Sequence, residues 1–225
     1  DKPQIILPSS TDQGFWQRHY KIALDDMAEL LAPLRIVLCE GSKSSQGVPL
    51  DEACYSRIFA SEFPETRFIS VGSRSDVEKR IRELVPVLSR IVSKTNIILF
   101  RDRDESTQGE IEERRRQEVP VRTMSEYRNI ESLLVSDGVL ERLCAKFKRP
   151  ESYCKIIAAR GSALNTHLVG DDLKPAVQAV HHAAKTELEI AQSGDTKEAF
   201  LRDVLTPLVH KETPEYESLK RDIFG

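Results

Sequence analysis

Ile36-Val37-Leu38-Cys39-Glu40-Gly41 is an apolar run that stops on a carboxylate and a glycine. Ile97-Ile98-Leu99-Phe100-Arg101-Asp102-Arg103-Asp104 repeats the arrangement later in the chain and ends on Asp-x-Asp. Short continuous apolar runs bounded by turn residues read as strands buried on both faces, the kind that parallel sheets are made of. Each would deliver its carboxylates to the C-terminal edge of the sheet, where open parallel sheets place ligands and chemistry. In this order, with a helix-strand-helix segment between them, the two runs point to a divalent-metal site for phosphodiester chemistry.

The surrounding pattern supports a sheet of this class. Trp16, Tyr20, Ala23, Leu24, Met27, Leu30 and Leu31 recur at helical spacing from about Phe15 to Leu31, and Pro33 closes that segment. A polar loop, Gly41 to Pro49, leads to Asp51, which is placed to cap a helix from about Glu52 to Phe63. Arg67–Val71 reads as a short strand. Val77, Ile81, Leu84, Val85, Leu88, Ile91 and Val92 predict a helix from Ser75 or Asp76 to about Lys94. A short helix is expected between Glu105 and Glu118, then an edge strand over Val119–Met124, where Pro120 is tolerable. The alternation β-α-β-α-β-α-β argues for an α/β fold, a parallel sheet flanked by helices. From about Ser125 the pattern turns helical, with long helices expected over Asp171–Gln192 and Thr196–Val209. The expected organisation is a lead-in and helix over 1–33, a catalytic core over 34–135, and a helical C-terminal appendage over 136–225.

Composition narrows the class. The chain has 225 residues, 40% hydrophobic and 31% charged, with a net charge of −3. That length suits one domain with an appendage, or two small ones. A mildly acidic total does not advertise nucleic-acid binding, yet it is compatible with a local basic patch. No apolar run reaches the roughly 18–20 residues of a membrane span, and no signal-peptide pattern is legible, so a cytoplasmic protein without membrane contact is expected. Cys39, Cys54, Cys144 and Cys154 are widely spaced, which suits reduced thiols. The first residue is Asp1 rather than Met, so a piece of a longer protein is expected.

Metal-dependent phosphodiester cleavage needs hard oxygen ligands, and Mg²⁺ takes few protein carboxylates per ion. Glu40, Asp102 and Asp104 are the leading candidates. Alternation along an extended segment is expected to point Asp102 and Asp104 the same way and Arg103 away. Asp51 and Glu131 are further carboxylate candidates. Basic residues able to track a phosphate backbone are Lys43, Arg74, Arg101, Arg103 and Arg128, with Arg114–Arg116 a second group. Each has a plainer alternative: Asp51 as a helix cap, Glu131 as a surface acid, the arginines as partners of nearby glutamates. Gly72-Ser73-Arg74-Ser75 lacks the Gly-Lys-Ser/Thr ending of a P-loop, so no ATP hydrolysis is expected of this chain.

Val37-Leu38-Cys39-Glu40-Gly41 followed by Arg101-Asp102-Arg103-Asp104 resembles the signature of Toprim domains. Asp51–Phe59, Phe68–Val77 and Arg128–Leu134 extend the likeness to the Toprim regions of OLD (overcoming lysogenization defect) nucleases, which follow an ABC-type ATPase domain. The resemblance implies a Toprim-type Rossmann-like sheet. It implies Glu40 as a metal ligand and general base, Asp102 and Asp104 as ligands of Mg²⁺ or Mn²⁺, and two ions in the working site. It also implies a second acid soon after the first, for which Asp51 is nearest across a longer loop, and a lysine near the scissile phosphate, for which Lys43 and Lys220 are candidates. The implied function is a metal-dependent endonuclease acting on DNA, the nuclease part of an ATPase-gated anti-phage or DNA-processing protein, with self-association left open. The alternatives are an RNA- or tRNA-cleaving defence effector and a non-catalytic Toprim interaction or sensor module.

Overall fold

Both apolar runs form strands, and they lie side by side. The computed structural model describes residues 33–41, 47–73, 95–116, 121–164, 171–190 and 194–225. Within these, β1 (Arg35–Cys39) leads to helix α1 (Leu50–Phe59), then β2 (Thr66–Ser70), β3 (Asn96–Arg101), helix α2 (Gln108–Arg115) and β4 (Val121–Thr123). The sheet order is β2-β1-β3-β4 and every pairing is parallel. Cys39 stands opposite both Ser70 and Phe100, so β1, β2 and β3 end level with one another. The helices expected over 15–31 and 75–94, together with Lys43 and Arg74, lie outside the described residues.

The central strands are apolar on both faces because both faces are covered. Val37, Cys39 and Phe100 join the larger core, while Ile36, Leu38 and Leu99 join a smaller cluster with Val71 and Val121. The edge strand β2 alternates instead: Thr66, Phe68 and Ser70 face inward, and Arg67 and Ile69 face out. The other edge is β4, which begins at Val121, and Pro120 lies outside the described residues.

The C-terminal half is helical: α3 (Ile130–Leu134), α4 (Asp137–Lys146), α5 (Tyr153–Leu164), α6 (Val177–Leu188), α7 (Lys197–Ala199) and α8 (Pro214–Phe224). It packs on one face of the sheet. Val37, Phe68 and Phe100 share a continuous buried cluster with Leu133, Leu140, Phe200, Leu205, Tyr216 and Ile223. Thr213 caps α8, its side chain accepting from the Tyr216 N–H, and Pro214 takes the first helical position, where no donor is needed.

Two expected helices are shorter than their periodicity suggested. The 171–192 segment opens with a 3₁₀ turn at Lys174–Ala176, because Pro175 suits a first turn and not a helix interior. The 196–209 segment divides into α7, a π-helical turn over Phe200–Leu205 and a 3₁₀ turn over Thr206–Leu208. There the Thr206 N–H and hydroxyl both donate to the Leu201 carbonyl, and Pro207 offers no donor to continue the ladder. All four cysteines are free, Cys39, Cys54 and Cys144 buried and Cys154 exposed. Among the described residues no helix is long and apolar enough to cross a membrane.

Candidate metal centre

The chain leaves β1 toward β2 on one side and leaves β3 toward β4 on the other. The C-terminal ends of β1 and β3 therefore flank a topological switch point, where connections diverge and a crevice opens. A cleft of about 510 Å³ lies there, lined by Glu40, Asp51, Asp102, Asp104 and Glu131 together with Lys174, Lys197 and Glu198. Every carboxylate picked out as a ligand candidate reaches this one cleft, though they come from four separate stretches of chain.

Glu40 follows β1 directly. Its Oε1 accepts from Arg101 Nε at 3.0 Å, and the two side chains are only 13% and 3% exposed. Arg101 is thus a buried counter-charge beneath Glu40 rather than an arginine held out to an external strand. Gly41 then turns the chain at φ +155°, and its N–H donates to the Gly72 carbonyl at 3.1 Å. A Cβ at Gly41 would stand 2.6 Å from Ser70 Oγ and 2.9 Å from Asp51 Oδ2. Glycine is what lets Asp51 close on the end of β1.

Asp51 is not the helix cap. Helix α1 begins at Leu50 behind Pro49, which has no capping side chain, so Asp51 and Glu52 both sit in the first turn. Acids favour that position because the helix N-terminus is electropositive. The two then diverge in role. Glu52 Oε2 accepts the Ser70 N–H at 2.9 Å, satisfying a donor on the edge strand, whereas Asp51 lines the cleft. Burial, and next the Glu131 charge, push the Asp51 carboxyl up to about 7, against the lowering effects of its own backbone N–H and of Lys174.

Asp102 follows β3. Burial, then the charges of Asp51, Glu40, Glu131 and Asp104, hold its carboxyl well above the usual carboxylate range. Asp102 and Asp104 line the same cleft, as expected, but not through strand alternation. The strand ends at Arg101, and Asp104 adopts φ +48° in a turn. That turn is tied to the 128 region: Arg103 N and Asp104 N donate to the Arg128 carbonyl at 2.9 and 3.4 Å, and Arg128 Nε returns a bond to the Asp104 carbonyl at 2.9 Å. Glu131 projects from the first turn of α3, whose start is fixed by Asn129 Oδ1 accepting the Ser132 N–H at 2.8 Å.

Lys174 Nζ sits 2.8 Å from Glu131 Oε1. Burial alone draws the Lys174 ammonium down, but the Glu131 charge and hydrogen bond, with Asp102 and Asp51, outweigh it and leave it raised. Sequence reasoning missed Lys174, Lys197 and Glu198. None stands in a motif, and only the fold brings them to this edge. Of the lysines it nominated, Lys220 binds Glu62 at 2.5 Å and does not line the cleft. Arg103 and Arg128 both meet Asp171. His181 is buried, with Nε2 2.7 Å from the Gly194 carbonyl.

The donor set is all carboxylate, which suits a hard cation such as Mg²⁺ or Mn²⁺ and not a thiolate- or imidazole-seeking one. Crowded acids with raised proton affinity also fit a site whose protons leave as a cation enters. Among the described residues no three His, Cys, Asp or Glu side chains yet converge as a ligand set. Glu40 and Glu131 are turned onto Arg101 and Lys174 instead. No protein-family model matches the chain, and neither a curated protein nor a solved structure matches it.

Proposed function

We propose that this chain is a Toprim-type, OLD-like nuclease that hydrolyses DNA phosphodiester bonds with Mg²⁺ or Mn²⁺, as the cutting part of an ATPase-gated anti-phage or DNA-processing protein. One observation carries the proposal: Glu40, Asp51, Asp102, Asp104 and Glu131 line one cleft at the switch point of a parallel sheet, with Asp51 and Asp102 driven toward neutrality by burial and by neighbouring acids. A fold gains nothing in stability from such a gathering. It is the arrangement expected where cations are to be received.

Asp51, Asp102, Asp104 and Glu131 are the residues that would hold the ions, with Glu40 beside them. Divalent ions held there would supply an activated water and charge neutralisation at the leaving oxygen. The chain's own residues do the rest. Arg101 fixes the orientation of Glu40, which is placed to take a proton from the attacking water. Lys174 and Lys197 line the wall where a phosphate would enter. Arg103 and Arg128 lie beside the same loop and would position a strand without reading its sequence.

The test is nicking of supercoiled plasmid with Mg²⁺, Mn²⁺ or EDTA, beside the Glu40→Ala and Asp102→Ala variants. Metal-dependent nicking should fall by about a hundredfold or more in each variant. Nicking that survives both substitutions would place the chemistry elsewhere. Cleavage of tRNA in place of plasmid would move the substrate to RNA. Cleavage of neither, with metal bound, would favour a non-catalytic module.

A further inference from the structure

Arg103 and Arg128 converge on one carboxylate. Asp171 Oδ2 is bound by Arg103 Nη2, and Asp171 Oδ1 lies 3.3 Å from Arg128 Nε. The arginines are recessed, 22% and 14% exposed, while Asp171 is 57% exposed. Arg103 belongs to the loop that carries Asp102 and Asp104, and Arg128 is tied to that loop by the bonds its carbonyl and its guanidinium make there. Arg103 Nε is buried with no hydrogen-bond partner among the described residues. Arg128 Nη2 also lies 3.7 Å from Glu105 Oε1, an acid that is 89% exposed.

The segment that presents Asp171 is pinned down. Asp172 Oδ1 accepts from Asn129 Nδ2 at 3.2 Å, Ser132 Oγ at 3.3 Å and Lys174 N at 3.0 Å, and Leu173 N donates to Ser132 Oγ at 2.9 Å. From that anchor the chain lays Asp171 on the arginines and Lys174 on Glu131. It sets an anion on the cationic pair and a cation on the acidic cluster.

We infer that Arg103 and Arg128 form a backbone-phosphate subsite beside the cleft, and that Asp171 occupies it as an internal stand-in which nucleic acid must displace. The inference rests on the function proposed above and adds a self-inhibiting contact to it. Guanidiniums bind phosphate oxygens through the same paired N–H geometry that holds a carboxylate. A phosphodiester brings its charge together with the flanking contacts of a whole strand. An exposed aspartate brings only its charge.

The experiment is fluorescence-anisotropy titration of a short labelled DNA duplex with the 225-residue chain in EDTA, so that binding is read without metal or cleavage. Asp171→Ala should bind about five- to tenfold more tightly than wild type, the effect of removing one recessed competing ion pair. Adding Arg103→Gln should abolish the gain. Glu212→Ala, which removes an exposed acid elsewhere, should change little. Asp171→Asn keeps the side chain's shape and should show the same direction, with thermal melts reporting that both variants fold. Affinity no tighter than wild type in the Asp171 variants, a gain that persists with Arg103→Gln, a gain matched by Glu212→Ala, or no binding by any of them would each overturn the inference. The nuclease proposal fails separately, through nicking that ignores Glu40 and Asp102.

Discussion

Two groups of acids in this chain are held under opposite rules. Around α8, Glu215, Asp222 and Glu62 each meet a donor. Glu215, 4% exposed, binds Arg142 at 2.5 Å and lies 3.4 Å from Ser136 Oγ. Asp222 Oδ2 accepts from both the N–H and the hydroxyl of Ser125 at 2.7 and 2.9 Å. Glu62 accepts from Lys220 and Tyr216, and those bonds hold its carboxyl below the usual carboxylate range. At the sheet edge, Asp51 and Asp102 face other acids, and their carboxyls rise. The first group is what burial of charge looks like when stability is the outcome. The second keeps unfavourable charge in place, which a fold tolerates where something else is to bind.

The widest separation between the groups should be seen in activity. Asp102→Asn keeps the shape of the side chain and removes its charge, so metal-dependent nicking should drop by about a hundredfold or more. Glu215→Gln, equally conservative, should leave nicking within roughly twofold while the protein is folded, because Glu215 does not line the cleft. A comparable loss of activity in both variants would dissolve the distinction.

Stability should separate them next, and in the other direction. Glu215→Ala leaves Arg142 without its partner and should cost about 3 kcal/mol, a fall in Tm of roughly 6–12 °C. Arg142→Met combined with Glu215→Ala should recover much of that loss, since replacing both charges avoids the unpaired one. A double-variant Tm no higher than that of Glu215→Ala alone would mean that the site depends on shape, not charge. The position is tight: a Cβ on Gly138 would come 2.5 Å from Glu215 Oε1.

How much of this could be read beforehand depended on whether the cause was local. The β1 and β3 strands, and the acids that end them, were legible because a continuous apolar run and the turn that stops it are neighbours in sequence. The parallel sheet followed from the alternation of elements. Asp51 was misread as a cap because the start of α1 is set by Pro49 and by the close approach at Gly41, neither of which a capping rule weighs. Arg101 looked like a surface cation because arginines usually are. Its burial follows from the level ends of β1 and β3, which put it beside Glu40. Lys174 and Lys197 carried no local signal. Their place is decided by how the helical half packs on the sheet, which is tertiary information.

The smallest difference is the most direct measure of crowding among the cleft acids. The Asp51 carboxyl is raised from its ordinary value to about 7, so the folded state holds its proton more tightly than the unfolded state does. The stability this provides is fully present below about pH 4, where both states are protonated. It is lost as the pH rises through about 7, where the folded chain must ionise against its neighbours. Asp102 moves in the same direction. The metal-free protein should therefore lose stability between about pH 4 and 7, and Asp51→Asn should lose less. At pH 8 in EDTA, Asp51→Asn should exceed wild type by about 1–2 kcal/mol, or roughly 2–8 °C in Tm. Near pH 4 the two should melt together. Millimolar Mg²⁺ should raise the wild-type Tm at pH 8 and raise the variant's less, because the repulsion relieved by the ion is what the substitution has already removed. An Asp51→Asn protein that is less stable than wild type at pH 8 in EDTA would put Asp51 in the same class as Glu215, an acid held for its partners, and the contrast between the two regions would shrink to Asp102 alone.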